Sequence, residues 1–531
     1  MTSIDTVRLS GANLLGATEI PGAGAPFRAV NPATGATLEP EYREAGADTV
    51  ARAAALAWTA FDEYRHTDFA RRAAFLDSVA GAIENLGEAL VERAVAESGL
   101  PEARIRGEVG RTTGQLRLFA DVVREGSWTG ARLDRPDPAR TPLPKPDLRQ
   151  RRIPLGPVAV FAASNFPLAF SVAGGDTAAA LAAGAPVVVK AHPAHPGTSE
   201  LVGRAVRAAV REHGLPDGTF SLVHGGRETG LALVGDPNIR AVGFTGSRQA
   251  GLALAAAAAA RPVPIPVFAE MSSVNPVFVL PGALAESGAR LGAEFVASLT
   301  NGVGQLCTSP GLVLLADGPG ADEFVAAAVA AVGAAPGAPM LNAGIAASFA
   351  AGVERLTGTE GVRLAASGDT VTAACPGDPH LFVTSAERFR ADRELQEEVF
   401  GPSSIIVRAA DPAELVALAG ALEGQLTATV HAAASDRATA RPLLNQLELI
   451  AGRVLFDGWP TGVEVGHAVV HGGPFPATTA SATTSVGTGA IERFLRPVAY
   501  QNVPEELLAD ELHTANPLGI WRRVDGALGR D

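Results

Sequence analysis

The chain has 531 residues, a formal net charge of −13 and a sequence pI near 5.4. This acidic balance argues against nucleic acid as a partner, because binding to a phosphate backbone requires clustered Lys and Arg. The length exceeds the ~100–200 residues of a typical domain, which predicts two or three domains.

The N-terminal segment, MTSIDTVRLSGANLLG, lacks the basic start and apolar run of a signal peptide. The two cysteines, Cys307 and Cys375, are too few for a disulfide framework. We therefore expect a cytoplasmic protein. Residues 48–125 follow next, with apolar side chains at three- and four-residue spacing that predict helices.

A Pro-rich connector at 133–150 separates this helical part from a different pattern, which begins at residue 153. Short apolar runs such as VAVFAA and APVVVK there alternate with alanine-rich helical segments. A second series of this kind starts near residue 267. Strands that alternate with helices predict parallel βαβ units, so the predicted fold class is α/β with two doubly wound domains.

Two uncharged stretches, 153–175 and 324–353, have the length of a membrane span. Proline interrupts the first, and both Gly and Pro interrupt the second. We expect no membrane-spanning segment.

Cys307 lies in the glycine-rich stretch NGVGQLCTSPG, a predicted loop that enters an apolar strand. A thiol in such a loop can be reactive, although most free cysteines are inert and buried. Cys375 gives no comparable signal. The close histidine pairs, His192 with His195 and His467 with His471, lie in loops without a carboxylate–His motif, and no thiol-protease or zinc constellation is visible.

Several polar residues end apolar runs, where a parallel sheet binds its ligands. Lys190 and Glu270 end such runs, Asn165 interrupts one, and GFTGSRQAG at 243–251 resembles a phosphate-binding turn before a helix. Each also has a structural interpretation as a snorkelling lysine, a solvated carboxylate, a capping Asn or a plain helix cap. Glu397 and Glu398 beside Phe400 are equally ambiguous.

Taken in order, these segments resemble the aldehyde dehydrogenase superfamily. The matching motifs are NFP at 165–167, Lys190, GFTGS at 243–247, Glu270, GQLC at 304–307 and EVFGP at 398–402. The resemblance implies a nucleotide-binding domain, a catalytic domain and an oligomerisation arm. It implies that Cys307 is the nucleophile, that Asn165 and the Cys307 N–H hold the oxyanion, and that Glu270 activates water.

The resemblance also implies a dinucleotide cofactor. Its ribose, pyrophosphate and nicotinamide contacts would come from Lys190, Glu398, Phe400, Gly246, Ser247 and Gly251. The family commonly has Glu three residues after the lysine, where this chain has Pro193. An acidic residue there would repel a 2′-phosphate, so its absence favours NADP, with NAD also possible. Arg227 is the candidate partner of that phosphate, and an exposed loop arginine is the alternative.

Within the superfamily, three long segments are similar to the 2,5-dioxovalerate (α-ketoglutaric semialdehyde) dehydrogenases, and NADP-dependent fatty aldehyde dehydrogenases have similar segments. The expected reaction is oxidation of 2,5-dioxovalerate to 2-oxoglutarate. A fatty or medium-chain aldehyde, a CoA-acylating reaction and a catalytically silent homologue are the alternatives. The predicted substrate residues are Arg111, Gln115, Phe166 and Phe170, with Arg111 on the distal carboxylate unless it forms a surface pair with Glu108.

The predicted domain organisation assigns residues 1–134 and 151–268 to the nucleotide-binding domain and 269–470 to the catalytic domain. Residues 135–150 and 471–500 form the predicted arm, and 501–531 a C-terminal tail. We expect a homodimer or homotetramer, as the family forms, and no metal.

Overall fold

Alanine-rich helices and short β-branched strands make up most of residues 8–530, which are the residues that the computed structural model describes. The helices in this range are α1 (Ala47–Arg65), α2 (Phe69–Glu84), α3 (Gly87–Ser98), α4 (Glu102–Glu125), α5 (Gly175–Ala183), α6 (Pro196–Glu212), α7 (Arg227–Gly235), α8 (Arg248–Ala259), α9 (Pro281–Thr300), α10 (Ala321–Gly333), α11 (Ala343–Gly358), α12 (Ala386–Ala391), α13 (Pro412–Ala421) and α14 (Arg437–Leu447). The helical pattern predicted over 48–125 thus corresponds to α1–α4.

The strands of the same range are β1 (Asn13–Leu15), β2 (Thr18–Ile20), β3 (Pro26–Val30), β4 (Thr37–Arg43), β5 (Arg132–Asp134), β6 (Leu148–Pro154), β7 (Val158–Phe161), β8 (Val187–Lys190), β9 (Phe220–Val223), β10 (Ala241–Thr245), β11 (Val267–Glu270), β12 (Val277–Val279), β13 (Leu312–Ala316), β14 (Ala338–Pro339), β15 (Arg363–Ser367), β16 (Pro376–Gly377), β17 (His380–Ser385), β18 (Ser403–Ala409), β19 (Gln425–His431), β20 (Ala451–Phe456), β21 (Leu495–Gln501), β22 (Arg522–Val524) and β23 (Ala527–Gly529).

A seven-stranded sheet of order β11-β10-β7-β8-β9-β1-β2 carries the first βαβ series, and β7 to β11 run parallel in it. Its side chains alternate between two cores. Val158 and Val187 pack with α2–α6 on one face, and Ala159 and Val188 pack with α1, α7 and α8 on the other. Burial on both faces explains why these strands are continuous apolar runs.

A second seven-stranded sheet has the order β15-β17-β18-β13-β12-β19-β20. Val277 and Val313 pack with α9 and α10 on one face, while Phe278 and Leu312 contribute to the core on the other, which includes α12–α14. The expectation of two doubly wound α/β units is confirmed.

The register of the first sheet brings its functional strand ends together. Phe161 pairs with Lys190, and Thr245 pairs with Glu270, the last residue of β11. Glu270 also forms an isolated bridge with Thr478. This bridge brings the segment after β20 to the edge of the first sheet.

A smaller sheet of order β21-β6-β5-β22-β23 joins the Pro-rich connector to the C-terminal part of the chain. Strands β6 and β21 pair along their whole length, from Leu148 with Gln501 to Pro154 with Leu495. Residues after Tyr500 add two strands to the same sheet, which the sequence pattern did not predict. The domain boundaries given above stay a prediction. Across residues 8–530, no helix combines the length and hydropathy that crossing a membrane requires.

Candidate active site

The loop that presents Cys307 begins where α9 ends. Gly302, Val303 and Gly304 follow with φ of 60°, 59° and 63°, a left-handed turn that non-glycine residues rarely adopt. A Cβ on Gly304 would lie 2.3 Å from the Gly401 carbonyl oxygen. Glycine is therefore required where this loop packs on the EVFGP segment.

Asn275 holds the other side of this loop, and sequence reasoning did not single it out. Its Nδ2 donates to the Cys307 carbonyl at 2.8 Å and to the Ser309 carbonyl at 2.9 Å. The Asn275 Oδ1 accepts from Thr427 at 3.0 Å, which fixes the orientation of the amide. The short segment between β11 and β12 thus positions the nucleophile loop.

The thiol of Cys307 contacts a histidine that the sequence analysis passed over. Its Sγ lies 3.3 Å from His471 Nε2, and the same Nε2 lies 2.8 Å from Glu270 Oε1. Ser485 donates to the second oxygen, Glu270 Oε2, at 2.6 Å. Glu270 and His471 are buried. The conclusion that no carboxylate–His constellation accompanies the cysteine is therefore wrong, because the chain assembles one from three distant segments.

The charges in this cluster favour a neutral thiol. Burial, together with the Glu270 and Glu398 carboxylates, raises the pKa of Cys307 well above its usual range. Burial also acts to raise the pKa of Glu270, but His471 and hydrogen bonds with Ser485 and Cys307 outweigh it, and that pKa lies below its ordinary value. An ionised Glu270 beside the sulfur therefore opposes ionisation of the thiol.

The two predicted oxyanion donors also lie at the Cys307 loop. Asn165 Nδ2 donates to the Gln305 carbonyl at 3.1 Å, and Arg104 Nη2 donates to the Asn165 carbonyl at 3.1 Å. The Cys307 N–H has no acceptor within the part of the chain that is described. The structure thus brings Asn165 to the nucleophile loop and leaves a backbone donor available there.

The sulfur, nitrogen and oxygen atoms of Cys307, His471 and Glu270 lie within 4.8 Å of one another. This is the only such group of three potential metal ligands among residues 8–530. Zinc prefers sulfur, nitrogen and carboxylate oxygen ligands of this kind. The expectation that the protein binds no metal stays a prediction.

The candidate cofactor residues lie along the carboxyl edge of the first sheet. Lys190 is buried at the end of β8, and burial lowers its pKa to about 8. Ser247 caps α8 by accepting from Ala250 N, and the Gly246 N–H donates to the Glu270 carbonyl at 3.1 Å. A Cβ on Gly251 would lie 2.7 Å from Met271 Sδ, so this glycine allows α8 to pack closely on the strand end.

Glu398 and Phe400 line a narrow cavity together with Gly304 and Leu306 of the nucleophile loop. Burial raises the pKa of Glu398 to about 7, although hydrogen bonds from Ser272 and Ser273 act in the opposite direction. Glu397 is instead exposed, with its carboxylate 3.7 Å from Arg355. Both acids line this cavity, and Glu398 is the less exposed of the two.

Arg227, the predicted phosphate partner, is the first residue of α7 and is exposed. It forms no ion pair with any residue between 8 and 530. Cys375 lies elsewhere, buried against Met340 and Phe349.

The predicted substrate residues lie around α4 and the NFP turn. The rings of Phe166 and Phe170 are 5.2 Å apart, and the Phe170 ring is 6.1 Å from that of His471. The Arg111 guanidinium lies 5.8 Å from the Phe170 ring. Gln115 is buried, and within the described residues its amide has no hydrogen-bond partner.

The alternative of a surface pair between Arg111 and Glu108 is wrong. Glu108 is buried and pairs with Arg104 at 3.1 Å, and it also accepts from the backbone N–H groups of Leu168 and Ala169. Arg111 has no carboxylate partner within ion-pair distance in residues 8–530 and donates to the Val463 carbonyl instead.

A sequence profile of the aldehyde dehydrogenase family matches residues 20–474. The chain belongs to the aldehyde dehydrogenase family. It is 54% identical over 522 residues to alpha-ketoglutaric semialdehyde dehydrogenase 2 of Azospirillum brasilense, covering 98% of this chain and 99% of the relative. It is 51% identical over 488 residues to alpha-ketoglutaric semialdehyde dehydrogenase of Acinetobacter baylyi, covering 92% and 93%.

Solved aldehyde dehydrogenases share the fold. Lactaldehyde dehydrogenase of Escherichia coli matches with a TM-score of 0.79 at 22% identity, covering 92% of this chain and 98% of that one. The resemblance predicted from the motifs is confirmed at the level of family and fold.

Proposed function

We propose that this aldehyde dehydrogenase oxidises its substrate to a carboxylate through a thioester on Cys307. The observation that carries the proposal is the contact of Cys307 Sγ with His471, whose Nε2 also meets Glu270 at 2.8 Å. A nucleophile, a base and an orienting group within hydrogen-bond reach are the minimum for covalent acyl chemistry.

The first step is attack of Cys307 sulfur on the aldehyde carbon. The thiol gives up its proton to solvent in this step, since Cys307 is only partly buried and the attacking species is the thiolate. The aldehyde oxygen becomes an oxyanion, and Asn165 Nδ2 and the Cys307 N–H are the donors at hand. Asn165 exchanges its present contact with the Gln305 carbonyl for that oxygen.

NAD(P)⁺, when bound, supplies the hydride acceptor that turns the thiohemiacetal on Cys307 into a thioester. Glu270 then takes a proton from the water that attacks the thioester and passes it to the leaving Cys307 sulfur, which releases the carboxylate and the thiol. His471 is the positioning residue, since its hydrogen bond keeps Glu270 ionised. Water hydrolyses the thioester, so no other acyl acceptor is needed. Turnover that requires CoA would therefore contradict the proposal.

The residues of the first sheet fit a dinucleotide. Lys190 is a buried cation without an ion-pair partner in the described chain, at the strand edge where α/β sheets bind nucleotides. The N-terminus of α8, after Gly246 and Ser247, suits a pyrophosphate. Glu398 and Phe400 would contact the nicotinamide half, because they share a cavity with the nucleophile loop.

For the choice between cofactors, we propose NADP as the preferred dinucleotide, with NAD also accepted. Pro193 offers no charge near the ribose, and the exposed Arg227, which forms no ion pair among residues 8–530, suits a 2′-phosphate. The ratio of kcat/KM for NADP to that for NAD tests this. A ratio below one would contradict it.

We propose 2,5-dioxovalerate as the substrate and 2-oxoglutarate as the product. Two relatives more than 50% identical over at least 92% of the chain are named for alpha-ketoglutaric semialdehyde. This substrate carries a carboxylate at the end away from the aldehyde, so the pocket should hold an uncompensated cation.

Two arginines meet that requirement, and sequence reasoning found only Arg111. Arg453 of β20 donates to the carbonyls of Pro460 and Gly462 at 2.7 and 2.8 Å, and Arg111 donates to the carbonyl of Val463. Both are half-buried or more, neither has a carboxylate within ion-pair distance among the described residues, and the Nε of each lacks a hydrogen-bond partner.

Both guanidinium groups interact electrostatically with Cys307. Burial lowers the pKa of Arg111 and of Arg453, and negative charge on Cys307 acts in the opposite direction on each. A half-buried cation without a counterion is costly, so a substrate carboxylate would stabilise either arginine. Phe166 and Phe170 would pack along the carbon chain between the carboxylate and the aldehyde.

The deciding measurement is kcat/KM for 2,5-dioxovalerate and for pentanal, which has the same chain length without the carboxylate. We expect Arg453→Gln and Arg111→Gln to lower the first value about 10- to 100-fold and to change the second little. Arg290→Gln, which removes an exposed arginine paired with Glu294, is the matched control. Pentanal or a longer aldehyde as the better substrate of the unmodified enzyme would favour the fatty aldehyde alternative.

We further propose that the protein is a cytoplasmic homodimer or homotetramer. Strand β21 is an edge strand of the small sheet, and such an edge can pair with a second copy. Light scattering after size-exclusion chromatography gives the mass of the assembly, and a monomer would contradict the proposal. Lack of dinucleotide reduction with any short semialdehyde would instead favour a catalytically silent homologue.

A further inference from the structure

The loop between β4 and α1 is attached to the start of α7. The Ala45 N–H donates to the His224 carbonyl at 2.7 Å, and Thr229 Oγ1 donates to the Ala45 carbonyl at 3.1 Å. Between these contacts, the half-buried Glu44 accepts from the Gly226 N–H through Oε1 at 3.1 Å. The Glu44 carboxylate is thereby fixed at the N-terminus of α7, where the helix dipole stabilises negative charge.

Lys190 lies against the same turn of α7. A Cβ on Gly230 would lie 3.6 Å from Lys190 Cδ. Because Gly230 has no side chain, the lysine can lie close to the helix backbone. The Glu44 carboxylate raises the pKa of Lys190, in opposition to burial, which lowers it to about 8. Glu44 is not within 4 Å of any cationic group of the described residues, so its charge is not cancelled by an ion pair.

We propose that Glu44 is a specificity-determining residue that selects against the 2′-phosphate of NADP. The inference rests on the proposed dinucleotide site at Lys190. A carboxylate that faces the ribose can accept a hydrogen bond from a 2′-hydroxyl, whereas it repels a 2′-phosphate. The acid comes from the loop before α1, more than 140 positions away from Lys190 in sequence.

Arg227 begins the same helix and acts in the opposite direction. At the start of α7, Arg227 therefore favours the 2′-phosphate and Glu44 opposes it. Glu44 thus lowers the ratio of kcat/KM for NADP to that for NAD, and NAD remains a usable cofactor.

The test is the ratio of kcat/KM for NADP to that for NAD in Glu44→Gln. Glutamine keeps an oxygen that accepts from Gly226 N and removes only the charge. We expect the ratio to rise about tenfold or more, because like charges in contact disfavour binding strongly. Arg227→Gln should lower the same ratio.

Glu228→Gln is the matched control, because it removes the same charge from an exposed residue in the first turn of α7. Its ratio should stay within about twofold of the unmodified enzyme. An unchanged ratio in Glu44→Gln, or an equal rise in Glu228→Gln, would overturn the proposal. Fluorescence titration with NADPH and NADH gives the same ratio without turnover. If neither dinucleotide binds the unmodified protein, the proposed function has failed rather than the role of Glu44.

Discussion

The two seven-stranded sheets contribute to the site in different ways. In the first sheet, Lys190 and Glu270 are the last residues of their strands, and Ser247 follows β10 by two positions. In the second, Cys307 lies before β13, and His471 lies well beyond the end of β20. The register of the parallel strands positions the site residues of the first sheet. Long loops that return to the site position those of the second sheet.

This difference predicts a division of roles. The strand ends of the first sheet carry the residues proposed to hold the cofactor, so most changes there should alter binding. The loops of the second sheet carry the thiol and its partner histidine, so changes there should alter the chemical steps. Glu270 is the exception, since it ends β11 and yet contacts His471.

The largest effect is expected for Cys307→Ser. A hydroxyl cannot replace the thiolate, so aldehyde-dependent NADPH formation should fall at least about 10,000-fold. Stopped-flow absorbance measures it. Cys375→Ser, which removes a cysteine outside the cluster, is the control and should keep its activity. A near-normal rate in Cys307→Ser would show that the thiol is not the nucleophile.

Glu270→Gln should separate the two chemical steps. Without the general base, steady-state turnover should fall about 100- to 10,000-fold, while a burst of NADPH remains. A missing burst would show instead that Glu270 is needed to activate the thiol.

The same variant should shift the reactivity of Cys307 with pH. Glu270 raises the pKa of the thiol, so its removal should lower that pKa, and alkylation by iodoacetamide should begin at lower pH than in the unmodified enzyme. Rapid-quench alkylation over a pH series measures this shift. An inflection at higher pH in the variant would contradict the charge assignment.

His471→Ala should have a smaller effect, because it acts through Glu270. Loss of the hydrogen bond should raise the pKa of Glu270, so kcat should fall about 10- to 100-fold and its acidic limb should move to higher pH. His471→Gln retains a donor and should recover part of the loss. A fall in kcat without movement of the acidic limb would mean that His471 acts only on packing.

The smallest effect is expected in the first sheet. Lys190→Met should raise the KM for the dinucleotide about tenfold with little change in kcat. The reason is that Lys190 should bind the dinucleotide equally well in the ground state and in the transition state. Lys145→Met, which removes an ion pair with Asp525 on the small sheet, should change neither constant. A large fall in kcat for Lys190→Met would break the proposed division between the sheets.

The pattern of the sequence predicted the first sheet well, because buried parallel strands are continuous apolar runs and their ends are marked by a polar residue. The same pattern predicted α1–α4 from their spacing. It did not predict the strands after Tyr500, whose short pairings lack a strong period. It also left the role of Asn275 undetected, since an Asn before a Pro indicates only a turn.

The sequence alone determined the two α/β units through strand periodicity. It determined the family, and suggested the roles of Cys307, Glu270 and Asn165, through motifs that resemble those of that family. Only the tertiary structure placed His471 against Cys307, brought Arg111 and Arg453 to the adjacent carbonyls of Val463 and Gly462, and fixed Glu44 at the start of the helix that Lys190 packs against. Each of these arrangements joins residues far apart in the chain, so no local pattern records it. Because these groups are poorly hydrated, their charges shift the pKa values of their neighbours.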